Sequence, residues 1–480
     1  MVGLAAALLL PLSLTLPGVL WCTRDSACRY SWLLAIAVAP ALGLGISSCV
    51  FFLWPLSPRP CLANLVGLEM LLYVPAGAAF SLALFANRSR SEGQAQPRLH
   101  GNLVFITVSG SLIVLVCSSL AFAMFLRASP HGDFDASAIW NLRARFLYRL
   151  GPGRWQDAFP ADLPWSHPDY PLLLPASVAR CWLYAQTETT WAPRLIAGIF
   201  TFGVAGLLFA GVARLRSSNQ GWLALATLLA TAKFIDVGSA QYADVPLSFY
   251  VLASLVFLVM ADNEPKRAVR CEALSGILVG MAAWTKNEGA LCLVVLLTVR
   301  LASLLMARPL GQAIREFAPC ALGALPVVII LFYFKLSFAP FNDLVAGWSG
   351  ASVFQKLSDP SRYWEVAKSF GNQVARVGWG MAYFLAAYGL LVGRAPKCNR
   401  KTGAGQALAT VCLLVLGYFI VYLMTYWYLP SHLKYSVKRL WLHFYPLAIF
   451  TFFLYVSTPE EALTIHSHAF DAESPNTSRP

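Results

Sequence analysis

Charge is what this chain has least of. Only 12% of its 480 residues are Asp, Glu, Lys or Arg, while 58% are hydrophobic. Soluble domains carry about 25% charged residues, so the composition excludes an ordinary soluble globular protein. Acidic residues are outnumbered 23 to 36, which leaves a formal net charge of +13. In a soluble protein that balance would point to nucleic acid. Here much of the basic charge sits in short loops between apolar runs, and no nucleic-acid partner is implied. The eleven cysteines (Cys22, Cys28, Cys49, Cys61, Cys117, Cys181, Cys271, Cys292, Cys320, Cys398 and Cys412) include no CxxC pair. That argues against a zinc site or a disulfide framework. The first apolar run has no basic region before it and reads as a retained helix rather than a cleaved signal.

Apolar runs long enough to cross a bilayer, about 20 residues each, fill almost the whole length. The predicted fold class is all-α, a polytopic transmembrane helix bundle. Spans fall at 1–21, 32–54, 62–86, 102–126, 193–213, 221–235, 244–261, 273–285, 289–307, 318–337, 379–393, 405–428 and 440–457, thirteen in all. Within 273–307, "WTKNEG" either separates two spans or breaks one re-entrant region. The polar segment 458–480 reads as a disordered cytoplasmic tail.

Lys and Arg in the loops set the orientation. Segments 22–31, 87–101, 214–220, 262–272, 308–317 and 393–404 hold sixteen of them, against four in 55–61, 236–243, 286–288 and 429–438. Adding 338–378 raises the second count only to eight. The first set is expected to be cytoplasmic, so the long loops 127–192 and 338–378 face the periplasm or a lumen. In the first loop, Ile139, Leu142, Phe146, Leu147 and Leu150 make a helical apolar stripe, with Asn141, Arg145 and Arg149 on another face. This predicts a helix lying in the interface. A second short interfacial helix is expected around 176–188. In the second loop, Asp359 and Pro360 open a similar stripe of Tyr363, Val366, Phe370, Val374 and Val377.

Several acids and bases stand where spans meet these loops. Asp133 and Asp135, in "HGDFDASAIWNLRARFLYR", can simply cap the helix that follows. A carboxylate so placed can also act as a general base if a hydroxyl reaches it. Asp244, in "SAQYADVPLSFY", is either a polar helix start or a residue facing an internal cavity. Lys286 and Glu288, in "AAWTKNEGAL", can form a structural pair or part of a site. Glu69, inside a span, reads as a local packing feature. Lys434, Lys438 and Arg439, in "HLKYSVKRLWLHFYP", can snorkel, but on the outer face they oppose the charge rule and favour anion binding. His167, Asp169 and Tyr170, in "SHPDYP", lack a third metal ligand nearby and read as a polar loop; no metal is expected. Asp133, Asp135, Asp244, Lys286, Glu288 and Arg439 come from separate parts of the chain yet gather at one face, where a bundle can converge them.

Taken together, "DFDASAIWNLRARFLYR", "WSHPDYPLLLP", "QYADVPLSFY", "AWTKNEG" and "SVKRLWLHFYP" resemble a bacterial branch of the membrane glycosyltransferases of GT-C architecture. These are relatives of protein O-mannosyltransferases and lipid A aminoarabinose transferases. The resemblance covers roughly 102–457, a GT-C-like catalytic module, and leaves 1–101 as an added N-terminal three-span part. The branch pattern is similar to G-W-D-A-W-A-I-W-N and here stands as Asp133 to Asn141. It selects Asp135 as the catalytic base, with Asp133 in the place of a glycine and Ser137 in the place of a tryptophan. The resemblance implies a polyprenyl-phosphate-linked sugar donor and an acceptor glycan, lipid or protein. It further implies inverting transfer without a cofactor, in a bacterial inner membrane with the site facing the periplasm or exterior. Arg439 and Lys286 would hold the phosphate, with Lys438 in reserve, and Asp244 and Glu288 would orient the sugar or those cations. His167 and Tyr170 complete the candidate substrate-binding set. The rival reading is a polytopic transporter or lipid-sugar flippase, which predicts inverted repeats and mid-bilayer charges; no internal repeat is visible.

Overall fold

The computed structural model describes residues 1–24, 30–86, 101–340, 350–375, 381–396 and 401–463. Helices dominate them, and the one β contact among them is an isolated bridge between Arg394 and Val456. In chain order the helices are α1 (Val2–Leu9), α2 (Leu12–Thr23), α3 (Tyr30–Leu53), α4 (Leu62–Ala86), α5 (Gly101–Ala128), α6 (Asn141–Leu150) and α7 (Leu173–Ala185). There follow α8 (Trp191–Leu215), α9 (Ser218–Leu229), α10 (Ala232–Ser239), α11 (Asp244–Asn263), α12 (Ala268–Thr285), α13 (Glu288–Ala307) and α14 (Leu310–Ser337). Last come α15 (Gly350–Leu357), α16 (Pro360–Ala375), α17 (Met381–Val392), α18 (Ala404–Met424) and α19 (Leu429–Tyr455).

Among the described residues, nine helical segments are long and apolar enough to cross a membrane: α1 with α2, then α3, α4, α5, α8, α11, α13, α14 and α18. This is the pattern of a multi-pass membrane protein. The other four expected spans have a different form. Residues 221–235 fall on α9 and α10, which meet at a 65° bend and count as a tenth span only if taken together. The run 379–393 holds α17, only 12 residues long, or about 18 Å. Residues 273–285 are part of α12, whose first turns carry Arg270 and Glu272. The last span begins well before 440, because α19 starts at Leu429 and carries Lys434, Lys438 and Arg439 in its first half.

The bundle is built around α11, whose residues Asp244–Ala261 are all buried. Helices α8, α12 and α19 pack against it. Close approach of α12 to α14 depends on Gly276 and Gly323, where an added Cβ would run into the carbonyls of Cys320 and Ala273. On α4, α5 and α14 many large apolar side chains are exposed, among them Phe85, Phe105, Ile113, Phe332 and Leu336, as lipid-facing helices require.

Both helices expected to lie in the interface of the first loop pack on protein, α6 along one face. In α6, Ala144 and Leu147 are buried, and Leu173–Trp182 of α7 are buried throughout. Of the apolar stripe of α6, Ile139, Phe146, Leu147 and Leu150 pack on the core, with α7 against the helix. Arg145 and Arg149 bind Glu188 at 3.6 and 2.5 Å. The Arg149 hydrogen bond holds the Glu188 carboxyl below the usual range. In α16, Asp359 caps the first turn through the Ser361 N–H (2.9 Å), and Val366 and Phe370 pack inward; Val377 lies outside the described residues. Glu69 has a buried partner, Arg180, which grips both carboxylate oxygens at 2.6 Å while also donating to the Ala7 carbonyl. Of the segment 458–480, residues 459–463 form a helical turn capped by Thr458, and Glu461 binds Arg216 at 2.9 Å. The remainder lies outside the described residues.

Candidate functional site

The chain leaves α5 through a tight turn in which Gly132 takes a left-handed conformation (φ +76°). A side chain there would strike Ala136 and the Ala240 carbonyl, so glycine is required. The next N–H, of Asp133, donates to that same carbonyl at 3.2 Å. A helix then starts at Phe134, passes through a π-helical turn at Ala136–Trp140 and continues as α6. The two aspartates divide the two readings of this stretch between them. The Asp133 carboxylate is exposed and accepts from the Phe134 N–H at 2.8 Å, an ordinary helix start; it does not line the cavity described below. Asp135, two residues on and roughly 200° further round the helix, points inward and accepts from Arg439 Nη1 at 2.5 Å.

Arg439 connects two carboxylates. Its Nε donates to Asp244 Oδ2 at 3.1 Å, and its guanidinium lies 4.5 Å from the Tyr242 ring centroid. Burial and the adjacent Asp135 and Asp133 carboxylates raise the Tyr242 hydroxyl well above its usual range. Asp244 is wholly buried at the start of α11 and also accepts from Lys286 Nζ (3.1 Å) and His443 Nε2 (2.8 Å). A carboxylate offers only lone pairs, which assigns the imidazole proton to Nε2 and leaves Nδ1 to accept from the Tyr418 hydroxyl at 2.9 Å. Lys286 lies 2.9 Å from Glu288 Oε1 as well. Burial works against the ammonium, but Asp244 and Glu288 outweigh it and hold Lys286 above the usual lysine range.

This network forms one wall of a cavity of about 700 Å³, to which Asp135, Lys286, Glu288, Arg439, His167 and Tyr170 all contribute. Asp244 stands behind that wall, tying Lys286 and Arg439 together rather than reaching the cavity itself. Lys438 is exposed and lies outside the lining. The reason is angular: His432, Ser436, Arg439 and His443 recur at helical spacing along one face of α19, and Lys438 sits about 100° off it. Among the described residues, no group of three His, Cys, Asp or Glu side chains is placed to hold a metal ion.

Aromatic rings form much of the rest. Tyr170 is stacked between His167 (4.7 Å) and Trp140 (5.4 Å), and Trp427, Tyr428, His432 and Tyr435 line the cavity from the start of α19 and the turn before it. Leu291, Val421 and Leu440 make an apolar side. Asp169 does not share the cavity with His167. It is buried and accepts from Asn287 Nδ2 at 2.7 Å, while Lys335 donates to its backbone carbonyl and to Asn287 Oδ1 (2.8 Å). The "SHPDYP" loop is thereby locked to the "TKNEG" break. Below it, Arg143 is buried against the Phe159 ring and donates to Ser166 Oγ at 3.1 Å; burial pulls its guanidinium down to about 10 despite the nearby Asp169.

The structure therefore brings Asp135, Lys286, Glu288, Arg439, His167 and Tyr170 together and leaves Asp133 and Lys438 outside. Sequence reasoning missed His443, Tyr418, the Asn287–Asp169–Lys335 lock and the aromatic wall. Only the α19 residues had a visible signal, the helical spacing from His432 through Arg439 to His443. Comparison with family models, curated proteins and solved structures gives no match to this chain.

Proposed function

We propose that this chain is an integral-membrane inverting glycosyltransferase of GT-C type, moving a sugar from a polyprenyl-phosphate donor to an acceptor hydroxyl. The observation that carries the reading is the convergence of Asp135, Lys286, Glu288 and Arg439 on one cavity, with aromatic rings on its other walls. Asp135 accepts the proton of the acceptor hydroxyl as its oxygen attacks the anomeric carbon. The bond from that carbon to the phosphate oxygen breaks, and polyprenyl phosphate leaves as an anion held by Arg439 and Lys286. Because the leaving group is already an anion, no second carboxylic acid is needed to protonate it.

The pairing of Arg439 gives these steps an order. Its guanidinium is shared by Asp135 and Asp244, and a donor phosphate reaching the Nη edge competes with Asp135 for it. Displacement frees the carboxylate lone pairs for the acceptor. The rings of Trp427 and Tyr428 offer flat faces for a sugar, and the apolar side near Leu291 and Val421 suits the first isoprene units. The resemblance of the sequence motifs adds that the membrane is a bacterial inner membrane, with the site on its periplasmic face. A transporter is disfavoured by α11, which carries no Asp, Glu, Lys, Arg or His between Asp244 and Asp262. The charges stand at its ends, with no relay along it.

The test is transfer from radiolabelled polyprenyl-phosphate sugars to candidate acceptors by purified protein. Asp135→Asn is expected to lower the rate by ~10²–10⁴-fold while Asp133→Asn leaves it near wild type. Undiminished transfer by Asp135→Asn sinks the base assignment, and no sugar release from any lipid-linked donor sinks the transferase.

A further inference from the structure

A groove separate from the cavity runs between α5 and the bend where α9 gives way to α10. Its volume is about 670 Å³, and Ile113, Val114, Phe125, Leu229, Ala230 and Ile235 make most of its surface apolar. The Ser111 and Ser118 hydroxyls donate to the carbonyls of Trp222 and Leu229 at 3.1 and 2.9 Å, fastening α5 to α9 as far as the bend. Beyond it α10 departs by 65°, and the groove opens. Because α5 is a peripheral helix with most of its residues exposed, the groove faces the surroundings of the bundle rather than its interior.

Two charged residues stand in this otherwise apolar wall. Lys233 Nζ and Asp236 Oδ2 are 2.5 Å apart, with side chains 32% and 52% exposed. They lie ~10 and ~6 Å along the helix axis from Ala240, whose carbonyl binds the Asp133 N–H at the site end of the bundle. On the orientation expected from the loop charges, this end of the bundle meets the outer membrane surface, which would set the pair near the level where headgroups meet acyl chains. Charged groups within a span ordinarily face the bundle interior or water because exposure to hydrocarbon is costly. This pair faces outward, one charge of each sign, at the head of an apolar channel.

We propose that the groove binds a phospholipid whose headgroup carries both a phosphate and a primary ammonium. The phosphate meets Lys233, the ammonium meets Asp236, and an acyl chain follows the α5 wall. The presence of both signs selects this class: an anionic headgroup would meet Lys233 but be repelled by Asp236, and an uncharged lipid would leave the two charges paired only with each other. The proposal does not depend on the transferase reading.

Native mass spectrometry of the full chain in mild detergent, equilibrated with equal phosphatidylethanolamine and phosphatidylglycerol, tests it. The expected result is one phosphatidylethanolamine retained per chain, several-fold over phosphatidylglycerol. Lys233→Met with Asp236→Met should abolish the preference. The reversed pair, Lys233→Asp with Asp236→Lys, should keep it with the headgroup turned round. Ala230→Trp, at an exposed position on the groove wall, should exclude the lipid from a protein that still elutes as wild type. Equal retention of both lipids by the wild type, a preference that survives the double Met variant and Ala230→Trp, or a second copy of the chain bound in place of lipid, would each overturn it.

Discussion

Helix α11 has a carboxylate at either end, and each belongs to an ionic network drawn from several helices. At its last turn, Asp262 accepts from Arg300 of α13 at 2.7 Å and from Gln406 of α18 at 2.8 Å, while Arg300 also reaches Glu272 of α12. At its first turn, Asp244 accepts from Arg439, Lys286 and His443. Both networks are buried, and both cross-link the same part of the bundle. They differ in access. The Arg300 side chain is 5% exposed, whereas that of Arg439 is 21% exposed and borders the 700 Å³ cavity with Asp135 and Glu288. Burying a charge among helices serves the fold equally well at both ends. Chemistry needs part of the charge left reachable, and only the Asp244 end lines this cavity.

The sharpest way to break this contrast is to remove one arginine at a time. Arg300→Met leaves Asp262 and Glu272 buried without their cation, and is expected to cost about 3–5 kcal/mol of stability. Transfer per folded molecule should hold. Arg439→Met should cost less stability, because the cavity lets water reach the orphaned Asp135, yet should reduce transfer by an order of magnitude or more. Melting temperature in detergent and turnover of the surviving protein separate the two effects. The reverse pattern would mean that the functional end of α11 has been misassigned.

A smaller effect belongs to the stacked ring. Tyr170→Ala removes its contacts with His167 and Trp140, a loss of about 0.5–1.5 kcal/mol if the stack contributes as aromatic pairs usually do. If the edge of the ring that borders the cavity also touches the sugar, the change falls on KM for the donor more than on kcat, and Tyr170→Phe restores it. A purely structural ring would lower the melting temperature and leave KM alone.

The smallest expected change tests a contact far from either network. Glu188 has its carboxyl lowered by the hydrogen bond from Arg149. Its folded value lies below its unfolded one, so its stabilisation is present above the ordinary Glu range near 4.5 and is lost as pH falls through the folded value. Glu188→Gln should therefore melt slightly lower than wild type at pH 7, and the gap should close towards pH 3. A gap independent of pH would assign the contact to packing rather than charge.

Much of this arrangement is legible in the sequence, for physical reasons that also set its limits. Charges are so scarce in the chain that their clustering at one set of span ends stood out, and Asp135, Lys286, Glu288 and Arg439 do share a cavity. Hydropathy located α3, α4, α5, α8 and α11 because each is a single apolar run. It does not register a bend such as the one between α9 and α10, nor a helix such as α19 whose first half carries three cations. The pairing of Glu69 with Arg180 was hidden by a separation of 111 residues. Lys438 and Arg439 are neighbours in the chain, and only the rotation of α19 puts one in the cavity and the other outside. The apolar stripe of α6 was visible, but amphipathicity alone does not say whether lipid or protein covers it.

The π-helical turn at Ala136–Trp140 acts as a phase adjuster between the carboxylate and the helix that supports it. A π turn accommodates one residue more than an α turn, which rotates everything before it by roughly 100° relative to everything after it. Asp135 owes its inward direction to that single inserted residue, while α6 keeps Arg143 and Leu147 in the core. Deletion of any one residue of Ala136–Trp140 would regularise the helix and swing the carboxylate out of the cavity, whatever side chains remained.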